Sequence, residues 1–244
     1  MDRDSNLYTF LFAAVMVLVV ASVLAFTSQS LKDLQNENVR KEKMQNILST
    51  VGIITNRDEA EDLFNKYIEE QYALKNDGSI NSSINPFNQI TLSLELKKSP
   101  EEQNFPIYVA NIENSKYYII PIRGNGLWNA IYGYISLKQD LNTIKGVVFD
   151  HVGETAGLGA EITQDWFKER FIDEKLFDSE NNLMGIMVSK TNNDPSNLDK
   201  NDHEVDAISG ATITGDGVSD MIKERIQHYV PFFNSLKSKQ LALN

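Results

Sequence analysis

The sequence predicts an α+β protein: a single N-terminal transmembrane helix, then a soluble domain whose largely antiparallel sheet is flanked by helices. Three observations carry this expectation. Residues 7–26, LYTFLFAAVMVLVVASVLAF, contain no charge. Between residues 90 and 149, short apolar segments follow one another with turn-like separators. Helix-period patterns lie on either side of them, at about 56–75 and 218–230. Segments joined by short turns pair as antiparallel neighbours, and helices outside the run then cover the sheet.

The expected organisation is a short segment 1–6, a transmembrane helix 7–26, a stalk 27–55, a folded domain 56–235 and a mobile tail 236–244. Twenty helical residues span about 30 Å, the thickness of a bilayer's hydrocarbon core. Thr9 and Ser22 are tolerated there because helix hydroxyls bond back to the backbone. A cleaved signal peptide is the rival. It is disfavoured by Asp2 and Asp4 beside Arg3, by the length of the run and by the lack of an A-x-A site. Arg3 precedes the span, whereas Lys32, Arg40, Lys41 and Lys43 follow it, so charge alone leans towards a cytoplasmic domain.

The stretch 28–48 is polar with sparse apolar positions and reads as a helical continuation of the anchor. In 56–75, Leu63, Phe64, Tyr67, Ile68 and Leu74 recur at helical spacing, with Asp58, Glu59, Glu61 and Asp62 at the start, where the helix dipole favours acids. Residues 90–96, ITLSLEL, alternate as a strand. Further strands are expected at 107–112, 117–122, 131–137 and 145–149, another at 183–188, and a helix at 163–171. The last helix is expected to end at Pro231.

The chain of 244 residues carries 23 basic and 34 acidic side chains, a net charge of −11. That balance argues against a nucleic-acid surface, which needs clustered Lys and Arg. With no cysteine, disulfides, thiolate metal sites and a cysteine nucleophile are excluded. His151, His203 and His228 match no local metal motif. We expect no metal site and no catalytic residue: Glu154 and Glu161 have no base-activated nucleophile beside them.

The densest chemistry lies in 206–218, DAISGATITGDGV. Small residues let a bulky group approach the backbone, and a helix start offers unpaired N–H groups to a phosphate. The alternative is a plain turn in which Thr214 or Asp216 caps the helix. A second glycine-rich segment, Glu154-Thr155-Ala156-Gly157-Leu158-Gly159, fits neither P-loop nor Rossmann spacing. A third, 121–128, reads PIRGNGLW.

The order of these three segments resembles the family of FMN-binding domains that carry covalently attached flavin, most closely the C subunits of sodium-translocating NADH:quinone oxidoreductases. The resemblance runs from the anchor to Phe233. It implies an FMN-binding domain at 56–235, with FMN joined by a phosphodiester to the last threonine of Asp-x-x-Ser/Thr-Gly-Ala-Thr. That motif falls on Asp206, Ser209, Gly210, Ala211 and Thr212, with Thr214 as the alternative acceptor. The resemblance further implies that a flavin transferase makes the bond from FAD and that Asp206 serves its recognition. The 154–159 segment would lie against the flavin, with Glu154, Thr155, Gly157, Leu158 and Gly159 around it and Ala156 where the family has proline. Leu127 and Trp128 would wall the ring.

The implied role is an electron carrier among the other subunits of a complex that oxidises NADH, reduces ubiquinone and pumps sodium. The implied location is the bacterial inner membrane, with lipid around the anchor and the domain on the periplasmic face. Three alternatives remain open: the homologous G subunits of Rnf-type ferredoxin:NAD oxidoreductases, a non-redox membrane-tethered interaction protein, and a hydrolase using Ser209 or Thr212. The Arg-Gly-Asn-Gly-Leu-Trp segment and the length favour the sodium pump over the first. The absence of G-x-S-x-G speaks against the last.

Overall fold

The computed structural model describes residues 5–242. Residues 1–4 of the expected N-terminal segment and residues 243–244 of the expected tail lie outside the described residues. The chain divides into two compact units, 1–43 and 44–244. The first holds most of helix α1 (Asn6–Ser49), whose apolar stretch is exposed and is long enough to cross a membrane.

The second unit is built on five strands: β1 (Ile68–Leu74), β2 (Phe105–Ile112), β3 (Ser115–Asn125), β4 (Ala130–Leu137) and β5 (Ile144–His151). They form an antiparallel meander in chain order. Glu113 and Asn114, both at positive φ, make the tight turn from β2 to β3. Both faces are covered, so the period-two residues are apolar on each side. In β2, Phe105, Ile107 and Val109 join one cluster, while Tyr108 and Ala110 join the other. The second cluster receives Met44, Ile47 and Leu48 from the end of α1 and Phe64 from α2 (Ala60–Tyr67). Ser136 locks that arrangement by donating its hydroxyl to the Thr50 carbonyl at 2.7 Å.

The first cluster lies under α6 (Thr212–Gln227), which contributes Val218, Met221, Ile222 and Ile226, and under Tyr229 and Phe233. A Cβ added at Gly124 of β3 would come within 2.7 Å of Met221 Cβ, so helix and sheet meet closely near the strand's end.

Several expected elements are replaced. The helix expected at 56–75 is α2 followed directly by β1. Ile68 and Tyr72, four apart, fit either period, and pairing of Tyr72 with Ile107 and Leu74 with Phe105 decides for strand. The segment 90–96, expected as a strand, instead holds one short helix, α4 (Leu92–Glu95), directly preceded by another, α3 (Pro86–Gln89). Asn85 caps α3, and Leu92 and Leu96, four apart, pack on the core. The helix at 163–171 is broken into a 3-10 turn (Gly159–Thr163), α5 (Asp165–Lys168) and a second 3-10 turn (Glu169–Phe171).

Of 183–188, only β6 (Met187–Val188) is strand, and it pairs in parallel with β7 (Glu204–Val205). The last expected helix begins earlier, at Thr212. Pro231 starts rather than stops a helix: α7 (Val230–Ala242) places it in the first turn, where its missing N–H costs nothing. Residues 236–242 are therefore helical.

Candidate functional site

Three connections meet beside the start of α6. The link from β3 to β4 brings Leu127, and the loop after β5 brings Glu154, Thr155, Leu158 and Gly159. The segment before α6, with its first turn, brings Gly210, Ala211, Thr212, Ile213 and Thr214. Together they line a cleft of about 230 Å³. Gly210 is needed for its positive φ of 73°. Gly159 is needed for space: a Cβ there would lie 2.4 Å from Glu154 Oε2 and 2.6 Å from Thr214 Oγ1.

The two threonines differ. Thr212 is exposed at the first position of α6. Thr214 is buried, and its hydroxyl donates to Glu154 Oε2 at 2.7 Å. The other carboxylate oxygen of Glu154 accepts the Trp128 backbone N–H at 3.0 Å. Burial works to raise the Glu154 carboxyl. The bonds from Trp128 and Thr214, with help from the Asn129 N–H and His151, outweigh it and hold the group below the usual glutamate value.

Among the described residues lining the cleft none is basic, and Glu154 is the one acid. What the cleft offers an anion is the start of α6. No side chain caps that helix end, and its first turn holds no acid. Its N–H groups and dipole favour a phosphate. Leu127, Leu158 and Ile213 line the cleft and are exposed, apolar surface suited to a flat ring. An exposed hydroxyl, an uncapped helix start and an apolar wall are what a phosphate-linked flavin requires, so the residues present fit FMN.

Four expected site residues do not line the cleft. Trp128 stands beside it, 69% exposed, with its indole N–H donated to Thr155 Oγ1 at 3.2 Å. Ser209 is exposed next to Gly210, and Gly157 is exposed at positive φ with its N–H donated to Glu161 Oε1. Asp206 is buried and turned to its own loop: its Oδ1 accepts the N–H groups of Asn193 and Asp194. Arg123 stacks over Tyr132.

Two residues carry weight that their local sequence barely signals. Ile213 lines the cleft, and its one cue is a β-branched side chain amid small and hydroxyl residues. Arg170 donates to the carbonyls of Asp206 at 2.8 Å and Ala207 at 3.3 Å, steadying the approach to the acceptor segment. A hydrolase arrangement does not form: His203 Nδ1 is engaged with the Lys175 carbonyl, and the His228 ring stacks on Phe105.

Beneath the polar loop 190–203 lies Glu174, fully buried. Asn197 donates to its Oε1 at 2.7 Å, and Lys200 Nζ stands 3.9 Å away. Its Oε2 has no hydrogen-bond partner among the described residues. Burial pushes this carboxyl up to about 7; Asn197 and Lys200 pull it back, while Asp202 and Asp199 add to the rise. In a loop opened to water the group would release its proton near 4.5. The docked loop thus holds the extra proton between these values, and docking weakens as pH rises from 4.5 to about 7, then levels off. Hydrogen exchange of the 190–203 amides, corrected for intrinsic rates, should report more frequent opening at pH 8 than at pH 5. Glu174→Gln should abolish the difference; an unchanged pH dependence in that variant would refute the assignment.

These features define the class: a flavin mononucleotide domain. In agreement, the family model for the FMN-binding domain matches residues 126–227, from the β3–β4 link to the end of α6. Over its length the chain is 30% identical to the C subunit of the Na(+)-translocating NADH-quinone reductase of Vibrio anguillarum, covering 89% of each chain. It is 27% identical to the corresponding C subunit of Haemophilus ducreyi, covering 91% of this chain and 90% of that one. The crystal structure of the C subunit from Parabacteroides distasonis superposes with a TM-score of 0.74 at 33% identity, covering 83% of this chain and 96% of that one. The chain belongs to the family of Na(+)-translocating NADH-quinone reductase C subunits.

Proposed function

We propose that Thr212 carries FMN through a phosphodiester, and that the chain is the electron-carrier subunit of a membrane complex that oxidises NADH, reduces ubiquinone and pumps sodium. The observation that carries the acceptor assignment is the contrast between the exposed Thr212 hydroxyl and the buried, donated Thr214 hydroxyl. Attachment from FAD forms one P–O bond, from Thr212 Oγ1 to the flavin-side phosphorus, and breaks the P–O bond to AMP. AMP leaves with the electron pair, the hydroxyl proton passes to solvent, and nothing is oxidised or reduced.

A flavin transferase is the partner in that step, and the other subunits are partners afterwards. Ser209 and Gly210 stand exposed for the transferase to reach, while the buried Asp206 shapes the segment from within. When bound, FMN supplies reversible electron acceptance. The chain's residues would hold it: the N–H groups at the start of α6 would bind the phosphate, and Leu127, Leu158 and Ile213 would contact the ring.

A covalent link suits this cleft. Ordinary small-molecule sites enclose roughly 300–1,000 Å³ and most of the ligand. At about 230 Å³, the cleft encloses less than that. The tether holds the flavin where the pocket alone would not, and leaves it open to partners. Lipid surrounds the anchor, and the domain lies on the periplasmic face of the inner membrane. The positive-inside lean opposes this side, but long domains translocate despite flanking charges.

One experiment tests both attachment and side. Spheroplasts carrying the native complex are treated with trypsin from outside, and released peptides are weighed. The peptide containing Thr212 should appear, heavier by one FMN. Release without the added mass would refute the attachment; retention until the membrane is opened would refute the orientation.

A further inference from the structure

We propose that Glu154 is the positioning residue for flavin attachment: its carboxylate ties the first turn of α6 to the β3–β4 link and so presents the Thr212 hydroxyl before any flavin arrives. This rests on the reading of Thr212 as acceptor. The geometry is that of a two-sided clamp. Glu154 Oε1 accepts from the Trp128 backbone and Oε2 accepts from the Thr214 hydroxyl. Its own N–H is fixed on His151 Nδ1 at 3.1 Å. One side chain thereby joins all three connections that make the cleft.

The space was kept for it. A Cβ at Gly126 would lie 2.5 Å from Oε1, and one at Gly159 would lie 2.4 Å from Oε2, so the β3–β4 link and Glu154's own loop each place a glycine against the carboxylate. The carboxylate is also chemically wrong for holding the phosphate, since an anion repels an anion. It engages the first turn through the Thr214 side chain and leaves that turn's backbone N–H groups for the ligand. Charge-assisted hydrogen bonds of this kind are among the stronger ones, and a fixed nucleophile reacts faster than a wandering one.

The test is made on the full-length chain, purified in detergent from a host without the transferase and then incubated with purified flavin transferase and FAD. Attachment is followed as covalent flavin fluorescence and located by peptide mass. Glu154→Gln and Thr214→Val should each slow labelling of Thr212 by about ten- to a hundredfold. Because they break one shared contact, the double variant should be no slower than the slower single. Thr214→Ser keeps the donor and should stay within about threefold of the parent.

Parent-like rates in Glu154→Gln and Thr214→Val, multiplying effects in the double variant, or Thr214→Ser as slow as Thr214→Val would each overturn the clamp. If Glu154→Gln does not fold, as judged by circular dichroism, the serine–valine comparison at 214 decides alone. Failure of the parent chain to label at Thr212 counts against the acceptor assignment instead, so the two ideas fail separately.

Discussion

Thr212→Val yields a folded chain from which all covalent flavin is lost. Valine matches threonine in shape, and position 212 is exposed, so the stability cost should stay within about 0.5 kcal/mol. What disappears is the oxygen proposed to form the phosphodiester. The helix start can still attract a phosphate, but the open cleft holds it too weakly to survive washing. Thr214→Val makes the informative contrast. It removes the hydrogen bond to Glu154 and leaves a buried carboxylate oxygen short of a donor, a loss of about 1.5–3 kcal/mol. It nonetheless retains the acceptor, so flavin should still arrive on Thr212, more slowly. In denaturing gels of protein co-expressed with the transferase, the parent and Thr214→Val should fluoresce and Thr212→Val should be dark. A fluorescent Thr212→Val band would move the attachment elsewhere.

Gly217→Ala is expected to damage both fold and site. The helix-propensity gain is about 1 kcal/mol. Against it, the new Cβ would lie 2.2 Å from the Asn125 carbonyl oxygen, a rigid backbone atom at the end of β3. Relief requires α6 and the strand to part by roughly an ångström, and overpacking of this kind costs typically about 1–3 kcal/mol, occasionally more. The clash should win, with Tm lower by up to about 8 °C for a domain of this size. Asn125 leads into the link that carries Leu127 and Trp128, so the displacement also pulls the cleft apart. A misplacement of about 1 Å can slow a reaction about a hundredfold, and flavin attachment should fall accordingly. Gly215→Ala is the control. Its Cβ would meet only the Val188 side chain, Cγ1 at 3.0 Å and Cβ at 3.4 Å, which has to yield by a few tenths of an ångström. Equal Tm values for the two variants would show that the packing of α6 on β3 is looser than it looks.

Strands β2 to β5 were legible because their cues are local: period-two apolar residues and turns such as Glu113-Asn114. The anchor was legible from its uncharged length. Segment 68–74 was not, because its apolar spacing satisfies both helix and strand, and β2, some thirty-five residues away, casts the deciding vote. ITLSLEL misled for the mirror reason: alternation also places Leu92 and Leu96 one helical turn apart. Pro231 could be read as a stop or a start, and only the packing of Phe232 and Phe233 distinguishes them.

In the site, the three segments were legible through their glycines and the family resemblance. The division of labour among them was not. Nothing local says that Glu154 bonds a threonine sixty positions on, or that Arg170 reaches the carbonyls of Asp206 and Ala207. Such pairings exist only once the chain is folded.

The bare beginning of α6 has a consequence for the order of events in the life of the chain. Ala211, where serine or aspartate often stands, gives the helix no oxygen of its own. The missing acceptor is worth on the order of 1 kcal/mol, and a phosphoryl group bonded at the next residue can supply it. On the proposed attachment, maturation finishes the architecture as well as equipping it for redox work: the newly made polypeptide leaves one corner undone, and the enzyme that adds the pigment also lays the last stone.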